Sequence, residues 1–170
     1  MAVSFKPAVI PGVSSWEAGP MSESTPEASP DTLRSIDLVK IGPERFKATN
    51  GRGGVLPIGS GSDPDFTPVE LLLAALAGCG AIDLTLITGK RAEATGFSAH
   101  AEGHKIRDEA GSRMTGMSIT FDIDFPEGEA GDAARAVVPR TMKQIEDRLC
   151  TVGRTVIVGD QVRYRVADQD

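Results

Sequence analysis

From Ser35 to Lys40 apolar Ile36 and Leu38 alternate with polar neighbours, and Ile41 follows, which predicts a strand. Gly42-Pro43 predicts a turn, Arg45 to Thr49 a second strand around Phe46, and Asn50-Gly51 a hairpin turn into a third short strand, Val55 to Ile58. The pattern then changes. Thr67, Pro68 and Glu70 form a capping-box signal with proline at the first helical position. Leu71 to Ile82 follow, apolar on every side, which predicts a long helix buried on all its faces. That run is shorter than the ~20 apolar residues needed to cross a bilayer, so no transmembrane helix is expected. Phe97 to Ile106 predicts a strand, and Met117, Ile119, Phe121, Ile123 and Phe125 alternate with polar residues as a strand with one wet face. Asp132 to Leu149 carries an apolar helical stripe, kinked or divided by Pro139. Val156 to Val158, a Gly159-Asp160 turn and Gln161 to Val166 predict a closing hairpin. This order predicts an α+β fold with mainly antiparallel sheets around a long buried central helix.

The 170 residues suffice for one domain with a sizeable core. Residues 1–33 have five prolines scattered among Ser, Glu and Gly, and are expected to be a disordered extension; residues 34–170 carry the domain. A net charge of −6 and the lack of any basic run beyond Lys90-Arg91 argue against nucleic acid as a partner. The N-terminus has no continuous apolar stretch of the kind a secretory signal needs, and two cysteines are too few for a secreted disulfide scaffold. A cytoplasmic location fits, with no membrane attachment.

The candidate chemistry centres on those cysteines. Cys79 lies inside the apolar helix between Gly78 and Gly80, where a glycine pair costs helix stability and points to close approach by a backbone or a substrate. Cys150 ends the second helix. A buried cysteine is ordinarily a small hydrophobe. If the two meet, they form a reversible dithiol/disulfide couple. A reactive thiol there needs a cation, and Arg52 and Arg154 are the candidates. His100 and His104 share a strand face, but the cysteine and histidine spacings do not match a zinc site. Asp83, inside the apolar helix, is expected to be held in a structural ion pair. Gly51 to Gly54 lacks the lysine of a phosphate loop, and Asp63 and Asp65 lack calcium-loop spacing.

The run TPVELLLAALAGCGAIDL resembles the P-x-E-L-L-L-A-A-L-A-x-C-x-A-x-D signature of OsmC-like proteins, the osmotically inducible protein C and organic hydroperoxide resistance superfamily. LCTVGRTV resembles that family's second cysteine motif, and KATNGRGG its arginine-bearing turn. The resemblance spans roughly Ser35 to Val166 in the family's order. It implies an intertwined homodimer with the central helices at its core and active sites at the subunit interface. It also implies a thiol-dependent peroxidase of organic hydroperoxides, acting in oxidative stress defence. By that analogy Cys79 is the peroxidatic cysteine and Cys150 the resolving one. Arg52 stabilises the thiolate, and Glu70, nine residues before Cys79, is the carboxylate of the site. A dithiol, in some relatives a lipoyl group on a protein, restores the couple, and neither metal nor organic cofactor is expected. The alternative is a redox sensor or small-molecule-binding dimer with little turnover.

Overall fold

In the computed structural model, residues 30–167 are described. The chain divides into two compact units, Met1–Ser35 and Ile36–Asp170. Most of the expected extension thus lies outside the described residues. Its described end holds a single 3-10 turn, Pro30–Thr32, and Arg34 donates to the carbonyls of Asp31 and Leu33.

The second unit begins with a three-stranded antiparallel sheet, β1 (Ile36–Gly42), β2 (Arg45–Asn50) and β3 (Val55–Ile58), in that order. The Asn50 side chain builds the β2–β3 turn: its Oδ1 accepts from the amides of Arg52 and Gly54 at 2.9 and 3.0 Å. Such local closure is the reason asparagine favours turns. A loop then leads to the central helix, and Arg45 fastens it to β2 through Asp65, with Nη2 to Oδ2 at 2.6 Å.

Helix α1 (Pro68–Thr88) starts at the predicted cap. The Thr67 hydroxyl accepts from the Glu70 amide, and the Glu70 carboxylate accepts from the Thr67 amide at 2.7 Å. The helix is buried along one face only, by Leu76, Gly80, Leu84 and Thr88, spaced four apart. The expectation of burial on all faces does not hold for the single chain: Ile82 and Leu86 are 61% and 64% exposed. At 21 residues α1 is also long and apolar enough to cross a membrane by length and composition. This corrects the count made from Leu71 to Ile82, which omitted the first and last turns. The face packed against strands and helices marks it as the core helix of this unit.

Strands β4 (Gly96–Asp108) and β5 (Gly111–Asp124) form a long two-stranded antiparallel sheet against α1. Helix α2 (Glu129–Gln144) follows, with Arg135 donating to the carbonyl of Phe125 and to Asp132 where β5 turns into it. Pro139 does not divide α2. The irregularity falls six residues later, in a π-helical segment, Ile145–Leu149.

The predicted closing hairpin is not present. Thr151–Val158 form a helix, α3, and residues 160–166 adopt no regular structure. The run is rich in β-branched residues, which favour strands. Its ends decide otherwise: Cys150 Sγ caps the start, and Gly159 takes the left-handed conformation (φ 68°) that closes a helix. The Gly159-Asp160 pair, read as a hairpin turn, is therefore a helix C-terminus.

Candidate functional site

The two cysteines meet. Cys150 belongs to the buried cluster with Leu84 and Ile145, and Cys79 packs against that cluster together with Phe121, Met142 and Val152. Both are free thiols. The geometry follows from three local features. Cys79 lies one residue off the buried stripe of α1, on its inward shoulder. The π-helical segment ends at Cys150, whose amide donates to Ile145 O at 3.3 Å, and so delivers the second cysteine to α1. Gly80 lets β5 close in: a Cβ there would lie 2.9 Å from Phe121 Cζ. The close approach inferred from the glycine pair is thus a ring and belongs to Gly80, whereas a Cβ on Gly78 would meet nothing within 4 Å.

Cys150 has a second task. Its Sγ accepts from the Gly153 amide at 3.2 Å, as the N-cap of α3. Burial is the main influence on this thiol and pushes its pKa up; the Gly153 N–H opposes that shift, and the neighbouring Cys79 adds to it. Burial outweighs the helix N-terminus, so Cys150 is held as a thiol.

A cavity of about 720 Å³ opens onto Cys150, lined also by Leu76, Gly80, Phe121 and Met142 among others; Cys79 lies behind this wall and is not among its lining residues. Its wall is mainly apolar, with Lys143 and Glu146 among the charged lining residues.

Other expected site residues lie elsewhere. Arg52 is exposed on the β2–β3 turn and belongs to neither the cysteine cluster nor the cavity wall. Glu70 is occupied at the cap, where hydrogen bonds from the Thr67 backbone and hydroxyl hold its carboxyl below the ordinary range. Arg154 is on α3, its amide donating to Cys150 O at 2.9 Å and its side chain lining a separate groove. His100 is exposed beside Glu102, and no group of three metal-ligating side chains occurs among the described residues. The expected ion pair at Asp83 is absent among the described residues: its Oδ2 is buried without a hydrogen-bond partner. The sequence reading missed Gly153 and the capping role of Cys150. Their signal is a cysteine three residues ahead of a glycine, at the point where one helix ends and another starts.

The OsmC-like protein family profile matches residues 59–164, which include both cysteines and the whole of α1. The chain belongs to the OsmC-like family. Solved structures agree at the level of the fold. An OsmC-like protein of unknown function from Vibrio cholerae superposes with a TM-score of 0.61 at 13% identity, covering 73% of this chain and 93% of that one. An OsmC-like protein from Mycoplasma pneumoniae gives 0.60 at 14%, covering 75% and 89%. A hypothetical protein from Aquifex aeolicus gives 0.58 at 18%, covering 77% and 92%. No protein of curated function matches the chain.

Proposed function

We propose that this OsmC-like protein is a cytoplasmic, homodimeric thiol peroxidase that reduces organic hydroperoxides. The observation that carries the reading is the meeting of Cys79 and Cys150 in one cluster, with Cys150 lining a largely apolar cavity. A hydroperoxide with an apolar body can bury that body there, at the wall that Cys150 lines; attack by Cys79, which packs against the same cluster, then needs a local shift that opens Cys79 to the cavity.

The different settings of the cysteines support the assignment of roles. Burial keeps Cys150 protonated, which suits a resolving thiol more than an attacking one. Attack therefore falls to Cys79. Its thiolate forms an S–O bond to the peroxide, the O–O bond breaks, and the alkoxide leaves as the alcohol after taking a proton. Cys79 is then a sulfenic acid. Cys150 condenses with it, releasing water and forming the disulfide. A dithiol donor returns two electrons and two protons. Arg52 and Glu70 enter the reading through the family resemblance, as thiolate stabiliser and carboxylate of a site assembled at the subunit interface.

The test is mass spectrometry of two variants after a pulse of a small alkyl hydroperoxide. Cys79→Ser should lose turnover. Cys150→Ser should still oxidise, stopping at sulfenic acid and, with excess peroxide, reaching sulfinic acid at Cys79. Oxidation of neither thiol faster than free cysteine would end the peroxidase reading. One oxidation without turnover in the presence of a dithiol would point instead to a redox sensor.

A further inference from the structure

We propose that α3 is a redox-gated flap, held as a helix while Cys150 is a thiol and loosened when Cys150 enters a disulfide with Cys79. The inference rests on the meeting of the two cysteines and deepens the proposed function by giving that site a conformational control.

The helix has little of its own to hold it. It is eight residues long, below the ~12–15 at which an isolated helix becomes even marginal in water. Thr151, Val152, Thr155, Val156, Ile157 and Val158 are β-branched and favour strands, and Gly153 is the poorest helix former after proline. Packing adds little. No residue of α3 is buried; Val152 packs against the buried cluster, while Ile157 and Val158 are 74% and 63% exposed. The ends therefore select the helix. Gly159 closes one end whatever the state of the thiols. The other end hangs on the Cys150 sulfur, which accepts from the Gly153 amide at 3.2 Å and also from the Val152 amide.

That sulfur has two claims on it. In the reduced chain it caps α3 and sits in the cluster against which Cys79 packs. In a disulfide the two sulfurs close to about 2.0 Å, far inside the packing contact of two free thiols. A sulfur drawn toward α1 in this way gives up the amides of α3. The consequence reaches the cavity, because Gly153, Val156 and Ile157 line it together with Cys150. Loosening α3 thus opens the wall beside the new disulfide. A thiolate that reduces a disulfide must reach one of its sulfurs, and in the reduced chain Cys150 is only 7% exposed. The flap keeps the thiols enclosed until they are oxidised, and exposes the bond only once it has formed.

Diamide tests this without any peroxide. One thiolate adds to its N=N bond and the second sulfur displaces the adduct. The reagent leaves as a hydrazine, carrying away two electrons and two protons. Amide hydrogen exchange of the full-length protein is followed by mass spectrometry before and after this oxidation. Peptides covering α3 should exchange at least about fivefold faster in the disulfide form, the scale of a lost N-cap, while α2 is unchanged. Dithiothreitol should restore protection. Reduced Cys150→Ala should exchange in α3 like oxidised wild type, since alanine removes the cap without making a bond. Cys150→Ser should stay protected with and without diamide, because serine caps and cannot be oxidised. Cys79→Ser should also be unmoved by diamide, because Cys150 then has no partner. Equal α3 exchange in the reduced and disulfide forms overturns the flap. So does loosening of α2 along with α3, failure of diamide to close the disulfide, or a reduced Cys150→Ala as protected as wild type. Peroxide consumption is measured on the same wild-type sample. A redox-dependent α3 in a protein that consumes no peroxide supports the flap and ends the peroxidase reading; turnover with α3 unchanged does the reverse.

Discussion

The sulfur of Cys150 accepts the Gly153 amide at 3.2 Å, so one atom is both a member of the thiol pair and the N-cap of α3. Gly153 permits this, since a Cβ there would lie 3.3 Å from the sulfur. Serine is among the best N-cap residues. Cys150→Ser should therefore keep the melting temperature close to wild type, whereas Cys150→Ala should lower stability by about 1 kcal/mol, read by urea titration. Equal losses in both variants would mean that the cap contributes nothing.

The same thiol makes stability depend on pH. Its pKa is raised in the folded chain, first by burial, so folding favours the protonated form. That contribution is fully present below the ordinary thiol value of 9.0 and is lost as pH rises through the elevated folded value. Reduced wild type should lose melting temperature more steeply above pH 9.0 than Cys150→Ser does. Parallel curves for the two proteins would contradict this.

Much of the frame was legible in the sequence because local and tertiary signals agreed. The Thr67 cap, the Asn50 turn and the alternation from Met117 to Phe125 each form what their residues favour. The failures have distinct causes. In α3, strand propensity lost to two end signals, a sulfur cap and a left-handed glycine. In α1, periodicity correctly reported an apolar surface but could not say whether this chain covers it. For the site, motif order identified the cysteine pair, yet no spacing in sequence reveals that a π-helical segment carries Cys150 to Cys79. Glu70 fits both a capping signal and a site signal, and only the first has its partner in the described residues.

That double reading of Glu70 can be separated by one substitution. Glutamine at the third helical position can also reach back to the cap amide. Glu70→Gln should leave the melting temperature nearly unchanged. If the carboxylate also serves the chemistry, kcat/KM for hydroperoxide should fall by tenfold or more while stability holds, on the scale of about 1.4 kcal/mol in the transition state. A fall in stability with normal activity would confine Glu70 to the cap.

The two glycines flanking Cys79 should respond in opposite ways. Gly80→Ala gains about 1 kcal/mol of helix propensity but forces a methyl against Phe121, a clash of the kind that costs ~1–3 kcal/mol. A net loss of about 1 kcal/mol is expected. Gly78→Ala meets nothing within 4 Å in the chain, so propensity alone would stabilise it by about 1 kcal/mol. Thermal melts of the two variants compare them directly. A destabilised Gly78→Ala would reveal a neighbour that a single chain does not supply.

The outer face of α1 carries the last prediction, and it concerns the proposed homodimer. Ala74, Ala75, Gly78, Ile82 and Leu86 are all exposed along this helix, and Ile82 and Leu86 alone leave large side chains 61% and 64% open. Leaving such a continuous apolar surface in water forgoes the burial that stabilises a small domain. In the proposed homodimer a second copy of α1 would cover this face, since its small residues admit another helix at short range. Ile82→Asp and Leu86→Asp separate the two cases. In a monomer these exposed positions should change stability by no more than about 0.5 kcal/mol. In a dimer sealed along α1, each should bury a charge between the helices, remove the dimer peak in sedimentation velocity and lower the melting temperature sharply. A wild-type monomer at micromolar concentration, with both variants as stable as wild type, would rule out association through this face.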